Sequence, residues 1–378
     1  MAEPGTISEL TGPDAAGALA EAMTWSNHQT LGYHHPAYQA MLTPILADRL
    51  TCLATHGVGG ALTGIFPYRT KTTSLGAVIN ALPFFGANGL VLKKPGQGSP
   101  VVESLLAAFR VRARAREVFS ATLYAPFGLD TSAWAQILAT DRSLMKFTQV
   151  MFLGPAAPQW SVKRRGDIKR ARARGFSVRQ ATLADEAKIF EIYDENCRSA
   201  GIPAKPRAFV AGTLRISIDL AESSPMQWLV ATLDNEVAAA LLYGRGPLTG
   251  SYILPCATAA VRADQPNALL MDHAIQESLT RGVRFWNFES SPVWDDPVFK
   301  FKGRWGSRAV PYEMFFLYGG RGAHPDPSQI ATVRQEAPYY FAAPSGRVTG
   351  TWPEDIAPPR EAYADFAAIS PSASSTRS

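Results

Sequence analysis

A short segment in the second half of the chain combines acidic and basic side chains suited to proton transfer and anion binding. Glu289 ends the strand-like sequence RFWNFE, and the following DDPVFKFKGRWG supplies Asp295, Asp296, Lys302 and Arg304. A carboxylate can accept a proton from an ammonium group, and a lysine can hold a phosphate or balance a developing oxyanion. We predict catalytic roles for Glu289 and Lys302, and substrate binding by Arg304 and Asp295. The alternatives are a strand-end cap, an exposed helix lysine and, for Asp296 before a proline, a helix N-cap.

Two further candidates lie on predicted strands. Tyr252 could hydrogen-bond a reacting group, although a tyrosine there also suits a core, and Glu313 on the last strand is another candidate acid. No Gly-x-Ser-x-Gly elbow or convincing Cys–His pairing occurs, so no nucleophilic enzyme residue is expected. Metal-ligand spacing is lacking among the remaining histidines, which are His28, His56, His273 and His324.

Aromatic and histidine side chains in the first half are candidates for substrate binding. His34 and His35 precede a proline that predicts a helix start, and Phe84 and Phe85 lie in a glycine-flanked turn. The histidines could instead form a helix entry with one packed imidazole, and the phenylalanines could form a corner of the core.

Basic residues concentrate in two stretches. The first, FRVRARAREV, ends a predicted helix over about 100–117. The second, SVKRRGDIKRARARGF, contains the seven cations Lys163, Arg164, Arg165, Lys169, Arg170, Arg172 and Arg174. Such clusters can contact several phosphates and give salt-dependent affinity for a nucleic acid. A solvated helix face is the alternative interpretation.

Composition and length limit the classes of protein. The 378 residues suggest two domains, and 46% hydrophobic with 18% charged residues is typical of a globular chain. No run of about 18 apolar residues is present, so a membrane span is not expected. Three distant cysteines argue against a disulfide scaffold or a cysteine-based zinc site. We find no secretory signal pattern and therefore expect a cytoplasmic protein.

Periodicity and turn signals predict the elements of the second half. A basic helix ends at Gly175, and the pair Asp234-Asn235 predicts a hairpin. The predicted order is β-α-α-β-β-β-α-β-α-β, with strands at 176–180, 227–233, 237–244, 250–256, 283–289 and 311–318, and helices at 183–199, 206–219, 266–281 and 296–304.

The first half follows nearly the same order, which predicts an internal duplication. Its hairpin crosses the glycine-rich turn 57–60, and strands are predicted at 119–124 and 147–153. We predict three parts: an N-terminal unit (1–155), a C-terminal unit (156–320) and a Pro/Ala/Ser-rich, partly ordered arm or tail (321–378).

This α/β order resembles that of the GNAT acyltransferase fold, and two such units in tandem resemble the Fem-type (FemABX) peptidyltransferases. The motifs HHPAYQAML, ALPFFGANGLVL, KRRGDIKRARARG, GVRFWNFESSP and FKGRWG are similar to family motifs in the same order. The resemblance covers roughly 25–320 and implies two tandem GNAT-like units, each with a mixed sheet. It also makes Lys302 the family's signature lysine and places the Phe84–Phe85 turn near the acceptor site.

The resemblance implies transfer of an aminoacyl group from aminoacyl-tRNA to an amine, whereas other GNAT proteins use acyl-CoA. A GNAT pyrophosphate loop needs glycines, but VRADQPNALL has Gln265 and Asn267 there, and Pro266 removes an N–H donor. We therefore favour aminoacyl-tRNA and direct attack by a small-molecule or peptide-like amine, without other cofactors, metal, DNA or membrane partners. An acyl-CoA N-acyltransferase and a non-catalytic tRNA-binding module are the alternatives.

Overall fold

The computed structural model describes residues 6–82, 84, 89–94, 99–154, 160–320, 325–343 and 350–355. The strands are β1 (Thr6–Thr11), β2 (Arg49–His56), β3 (Leu62–Thr73), β4 (Gly76–Asn80), β5 (Val91–Leu92), β6 (Val118–Tyr124), β7 (Arg142–Phe152), β8 (Ser177–Gln180), β9 (Met226–Leu233), β10 (Glu236–Arg245), β11 (Thr249–Ala257), β12 (Phe285–Asn287) and β13 (Arg308–Tyr318). The α-helices are α1 (Gly12–Ala22), α2 (Pro36–Leu46), α3 (Ser99–Ala113), α4 (Trp134–Leu138), α5 (Val162–Arg174), α6 (Glu186–Ser199), α7 (Arg207–Asp219), α8 (Pro266–Thr280), α9 (Pro297–Gly303) and α10 (Pro327–Glu336). None of the helices in these ranges is both long and apolar enough to cross a membrane.

Local sequence signals end several elements as predicted. Gly175 closes α5 with a φ of 98°, a left-handed conformation that glycine adopts without a Cβ clash. Asp234 and Asn235 have φ values of 51° and 66° and join β9 to β10 as a two-residue hairpin. Asp296 caps α9, because its Oδ1 accepts a hydrogen bond of 2.6 Å from the Phe299 N–H.

One continuous mixed sheet joins the two halves of the chain. Its order is β1-β2-β3-β4-β6-β13-β7-β12-β11-β10-β9-β8, with β5 paired to β3. The pairs β4–β6 and β11–β12 are parallel, and the other described pairs are antiparallel. The two halves of the sheet have the same strand order. From one edge, β1 to β4 follow in sequence, and β4 pairs in parallel with β6, the strand after helix α3. From the other edge, β8 to β11 follow in sequence, and β11 pairs in parallel with β12, the strand after helix α8. The predicted tandem of two α/β units is confirmed.

The two units exchange strands at the centre of the sheet. Strand β13 comes late in the chain, yet it lies between β6 and β7 of the first half. Strand β7 in turn pairs with β12 of the second half. The exchange makes each unit's sheet depend on the other, and it places Lys146 directly opposite Tyr312 in the central β7–β13 ladder.

Alternation along β9 separates the two layers that cover the second unit. Trp228 packs towards α7, where its indole N–H donates to the Thr213 hydroxyl at 3.0 Å. The adjacent Leu229 belongs to the cluster on the other face, with Leu270 and Met271 of α8. Helix α5 packs beside α8 on that second face through Ile168 and other apolar residues.

The described part of the predicted arm packs on the first unit. Val333 of α10, Ala337 and Tyr340 share a buried cluster with Val78 and Phe119. The segment after α10 also fills the gap where β4 and β6 diverge.

Candidate functional site

A cleft of about 560 Å³ opens at the centre of the molecule, where β11 and β12 separate. The two parallel strands pair only as far as Ser251 and Asn287, and β11 continues alone. A register shift in the β10–β11 ladder leaves Ile253 without a register partner, and this residue lines the cleft. The lining residues are Phe84, Tyr124, Lys146, Lys205, Ile253, Glu289, Ser290, Tyr312, Arg334 and residues 338–343. Both units and the C-terminal arm therefore contribute to the cleft.

Glu289 lies in this cleft two residues beyond the end of β12. Its φ of 58° is left-handed, a strained conformation for a residue with a side chain. The carboxylate accepts hydrogen bonds from the Tyr33 hydroxyl and, at 2.9 Å, from the Asn287 side-chain amide. Burial raises the pKa of Glu289 to about 7, against the opposing effects of the Tyr33 bond and the nearby Lys302 charge. A carboxyl group titrating near neutrality can act as a general base.

Asn287 holds the orientation of this carboxylate. Its side-chain oxygen accepts hydrogen bonds from the Thr148 hydroxyl at 2.5 Å and from the Glu289 backbone N–H at 2.9 Å. Its NH₂ group is thereby directed at the Glu289 carboxylate. Strand β7, which carries Thr148, thus supports the site from the other unit.

The structure places Lys302 behind the Glu289 loop, and Lys302 does not line the cleft. Its ammonium group is buried and donates to the backbone carbonyls of Glu289 at 3.0 Å and Ser290 at 2.9 Å. Burial lowers the pKa of Lys302 to about 8. Lys302 therefore holds the backbone of Glu289 and Ser290 in place.

Three cations that the sequence analysis did not single out line the cleft. Lys146 of β7 is buried, and burial lowers its pKa to about 8. Lys205 lies just before α7, and Arg334 is on α10. The sequence signal for Lys146 is a single charge among the apolar residues of MKFTQVMFL, whereas nothing in the sequence connects Lys205 or Arg334 to Glu289.

Half of the described aromatic residues that line the cleft come from the arm. The Tyr339 and Phe84 ring centroids are 4.7 Å apart, and Phe341 packs edge-on to Tyr124 at 5.9 Å. Phe341 is held in the gap between β4 and β6, where its carbonyl accepts from Asn80 at 3.0 Å and from the Thr122 hydroxyl at 2.8 Å. The arm therefore occupies the first unit's counterpart of the β11–β12 opening.

The predicted residues of the first half have different positions. His34 is fully buried, accepts the Leu31 N–H at 3.0 Å and has a pKa lowered to about 4 by burial. His35 caps α2 by accepting the Ala37 N–H at 3.1 Å. Neither histidine lines the cleft, while Phe84 does; Phe85 lies outside the described residues. Tyr33, next to His34 in the same motif, is the residue that reaches Glu289, and the sequence analysis missed it.

The other predicted side chains lie outside the cleft. Tyr252 packs against Phe288 on the α8 side of the sheet, with ring centroids 5.9 Å apart. Glu313 accepts from the Thr131 hydroxyl at 3.0 Å, and alternation along β13 directs it away from the face of Tyr312. Asp295 forms an exposed ion pair with Lys300 at 3.1 Å, and Arg304 is an exposed residue at the end of α9.

Six of the seven predicted phosphate-binding cations are exposed on α5, and Arg164 is the exception. Arg164 is 1% exposed, because its guanidinium stacks on Phe301 at 4.8 Å and pairs with Asp167 at 3.1 Å. The exposed residues are Lys163, Arg165, Lys169, Arg170, Arg172 and Arg174. Arg164 therefore packs helix α5 onto the protein and cannot reach a ligand in solution.

Helix α5 lies beside the turn that leads into α8. The Arg174 Nε is 3.4 Å from Asp264, and Arg170 donates to the Ala263 carbonyl at 3.4 Å. Pro266 is the first residue of α8, as the sequence predicts, so it contributes no N–H there. The exposed cations and the cleft thus lie on opposite faces of the sheet. Across the described ranges, no group of three His, Cys, Asp or Glu side chains could hold a metal ion.

Solved structures share this fold, although no family model and no curated protein matches the sequence. FemX aligns over 81% of this chain and 96% of its own, with a TM-score of 0.62 at 10% identity. The C-terminal domain of a putative lysylphosphatidylglycerol synthetase from Agrobacterium fabrum aligns over 86% and 96%, with a TM-score of 0.53 at 11% identity. L-PGS from Bacillus licheniformis aligns over 87% and 97%, with a TM-score of 0.51 at 10% identity. These similarities confirm the expected Fem-like tandem GNAT fold.

Proposed function

We propose that this chain, which has the fold of FemX, is an acyltransferase that moves an aminoacyl group from aminoacyl-tRNA to an amine bound in the central cleft. The observation that carries the proposal is the Glu289 carboxylate. It lies in the opening between β11 and β12, is held by Tyr33 and Asn287, and has a pKa raised to about 7. A base of that pKa suits the deprotonation of an incoming ammonium at neutral pH.

The body of the tRNA is assigned to the opposite face of the sheet, from which its aminoacyl end would reach Glu289 through the opening between β11 and β12. Six exposed cations on α5 lie beside the turn that precedes α8 and offer contacts for the phosphates of a polyanion. Pro266 and the absence of glycine around it make the start of α8 poorly suited to a pyrophosphate. These two features favour tRNA over CoA as the carrier of the acyl group.

The chemical step needs no covalent enzyme intermediate. The amine nitrogen attacks the carbonyl carbon of the aminoacyl ester, so that a C–N bond forms as the C–O bond to the terminal ribose breaks. Glu289 takes one proton from the incoming ammonium, and the proton that the nitrogen loses on forming the amide goes to the departing ribose oxygen, which leaves as a hydroxyl. Proximity of two bound substrates and a positioned base supplies the rate enhancement.

Donor identity is tested by giving the purified protein either charged tRNA or a panel of acyl-CoA thioesters. Amino acids and dipeptides serve as acceptors in both arms, with and without ribonuclease. We expect an amide product from charged tRNA that ribonuclease abolishes. A product that requires acyl-CoA and survives ribonuclease would show that acyl-CoA, and not aminoacyl-tRNA, is the donor. Binding of tRNA without any product would favour a non-catalytic module.

The role of α5 is tested by reversing two of its exposed charges. Arg165→Glu with Arg170→Glu should weaken tRNA binding most at low salt and reduce the slope of log K against log salt, since fewer counterions are released. Lys188→Glu with Arg198→Glu on α6 is the matched control, because the half-buried Lys188 and the exposed Arg198 lie on the other side of the sheet and already pair with acids. Equal losses of tRNA affinity in the two double variants would show that α5 has no specific role in tRNA binding and is only a solvated helix face.

A further inference from the structure

We infer that the acceptor is an amine that also carries a carboxylate, as an amino acid or a peptide does, and that the cleft binds its two ends separately. The amine lies at Glu289, and the carboxylate lies between Lys146 and Lys205. This inference rests on the proposed function of the cleft and names the substrate class. Its starting point is the charge of the cleft, which has three cations and one acid among its described lining residues.

Lys205 places a positive charge in the cleft. Its ammonium group lies 5.3 Å from the ring centroid of Phe84 and 5.7 Å from that of Phe209. Among the described residues no carboxylate forms an ion pair with Lys205. Burial lowers the pKa of Lys205, as expected for an ammonium group that aromatic faces compensate only in part. A ligand carboxylate would supply the missing negative charge.

Lys146 adds a second charge from the central strand. It is 5% exposed, and its ammonium group lies 5.9 Å from the Phe341 ring centroid. A buried charge attracts an anion more strongly than an exposed one, because the protein interior screens it less than water does. Lys146 stands opposite Tyr312 on β13, and both side chains line the cleft.

Glu289 is separate from these cations. Its described hydrogen bonds come from Tyr33 and Asn287, and no described salt bridge joins it to Lys146 or Lys205. If Glu289 formed ion pairs with these lysines, the cleft would have no separate charges to bind a charged ligand. A cleft that keeps them apart within about 560 Å³ fits a zwitterionic molecule of amino-acid or dipeptide size.

The anion is assigned as a carboxylate because the cleft lacks the usual features of a phosphate site. No described lining residue belongs to the first turn of a helix, where several backbone N–H groups would surround a phosphate. The walls are instead aromatic, with Tyr124, Tyr312 and Tyr339 beside the two lysines. Such walls favour a compact ligand with one negative charge and an apolar or flat side group.

The test is a binding titration without donor, so that its result does not depend on acyl transfer. Isothermal titration calorimetry compares amino acids and dipeptides with their C-terminal amides, and includes phosphoethanolamine as an amine with a phosphate. We expect at least one acid to bind about tenfold more tightly than its amide, which corresponds to about 1.4 kcal/mol. Lys205→Gln should remove this preference, Lys205→Arg should restore it, and Lys188→Gln on α6 should leave it intact.

Equal binding of acids and amides, no binding across the panel, or a preference that survives in both Lys205→Gln and Lys146→Met would overturn the inference. Tighter binding of phosphoethanolamine than of every carboxylate would overturn the assignment of the anion. Thermal unfolding of each variant identifies those that fail to fold, and Lys205→Arg, which keeps the charge, then decides. A protein that distinguishes acids from amides but transfers no aminoacyl group would retain this site and lose the proposed function.

Discussion

Opposing influences act on the ionisation of Glu289. Burial raises the pKa of the carboxyl, while the Tyr33 hydroxyl and the Lys302 charge lower it, and the net result is a pKa of about 7. An exposed glutamate with a pKa near 4 would be a much weaker base. The left-handed backbone at Glu289 has a cost of its own, which the two bonds from Lys302 to the local carbonyls offset.

Activity should therefore rise with pH through about 7 and depend on Glu289. The base form is the carboxylate, so kcat/KM for the acceptor increases as Glu289 loses its proton. In Glu289→Gln this limb should disappear, and kcat should fall about 10²- to 10⁴-fold with little change in tRNA binding. The exposed Glu236→Gln serves as the control. A variant Glu289→Gln with the wild-type pH profile would remove Glu289 from the mechanism.

Lys302 should act through Glu289. Lys302→Met keeps much of the aliphatic stem but removes the two hydrogen bonds and the positive charge. Loss of that charge raises the pKa of Glu289 further, so the rising limb of the pH profile should move to higher pH as kcat falls. Lys300→Met on the same helix removes an exposed lysine and should change neither. A fall in kcat without movement of the limb would indicate only structural damage.

The sequence predicted the grouping of candidate residues that are close along the chain. It did not predict which distant residues the fold brings together in the cleft. Residues 285–296 could be connected with one another from sequence, with Glu289 predicted at the end of a strand and Asp296 as a possible helix cap. Lys146 and Glu289 are 143 residues apart, and only the exchange of β7 into the second unit brings them to one cleft. Burial of Arg164 was equally hidden, because its aromatic partners are Phe301 on α9 and Trp305 just after that helix.

Elements with strong local signals agree closely with prediction, and short ones do not. Helix α5 and the hairpin β9–β10 have a clear glycine stop and an Asp-Asn turn. Strand β12 is shorter than the predicted 283–289, because the chain turns at Glu289. The brief strand β4 and helix α4 gave too few residues for a periodicity, and their positions depend on the neighbouring strand β6 and helix α3.

The arm lines the cleft to which we assign the acceptor. Asn80 holds it by donating to the Phe341 carbonyl at 3.0 Å and accepting the Phe341 N–H at 2.7 Å. Asn80→Ala removes both bonds and should loosen residues 339–343, raising the acceptor KM while leaving tRNA affinity unchanged. The stability loss should be about 1–3 kcal/mol, as for an unsatisfied buried polar group.

Ser74→Ala is the control for this variant, because it removes a bond between the Ser74 hydroxyl and Glu336, outside the cleft. Steady-state kinetics with each substrate varied in turn separates the two affinities. A larger KM for both substrates in Asn80→Ala would point to general unfolding, and an unchanged acceptor KM would show that the arm is not part of the acceptor site.

At the scale of the whole molecule, the arm explains why the corresponding openings of the two units differ. Each unit has a place where parallel strands diverge, β4–β6 in the first and β11–β12 in the second. The arm closes the first through Phe341, and the second remains beside Glu289. The cleft therefore lies at the opening of the second unit, and the first unit and the arm form one of its walls.

The two units should therefore fold only together. A cut within 155–159 leaves the first fragment without β13, so that β6 and β7 lose the strand between them. The second fragment loses β7, the partner of both β12 and β13. Because unpaired edges and exposed apolar faces are unfavourable, neither fragment alone should give a cooperative thermal transition, whereas co-expression should yield an equimolar complex with one transition. Circular dichroism melts and gel filtration of the fragments, alone and mixed, measure this against the intact chain. Separate cooperative transitions for the two isolated fragments would mean that the exchange contributes little to stability, and that the shared cleft forms by the docking of two independent domains.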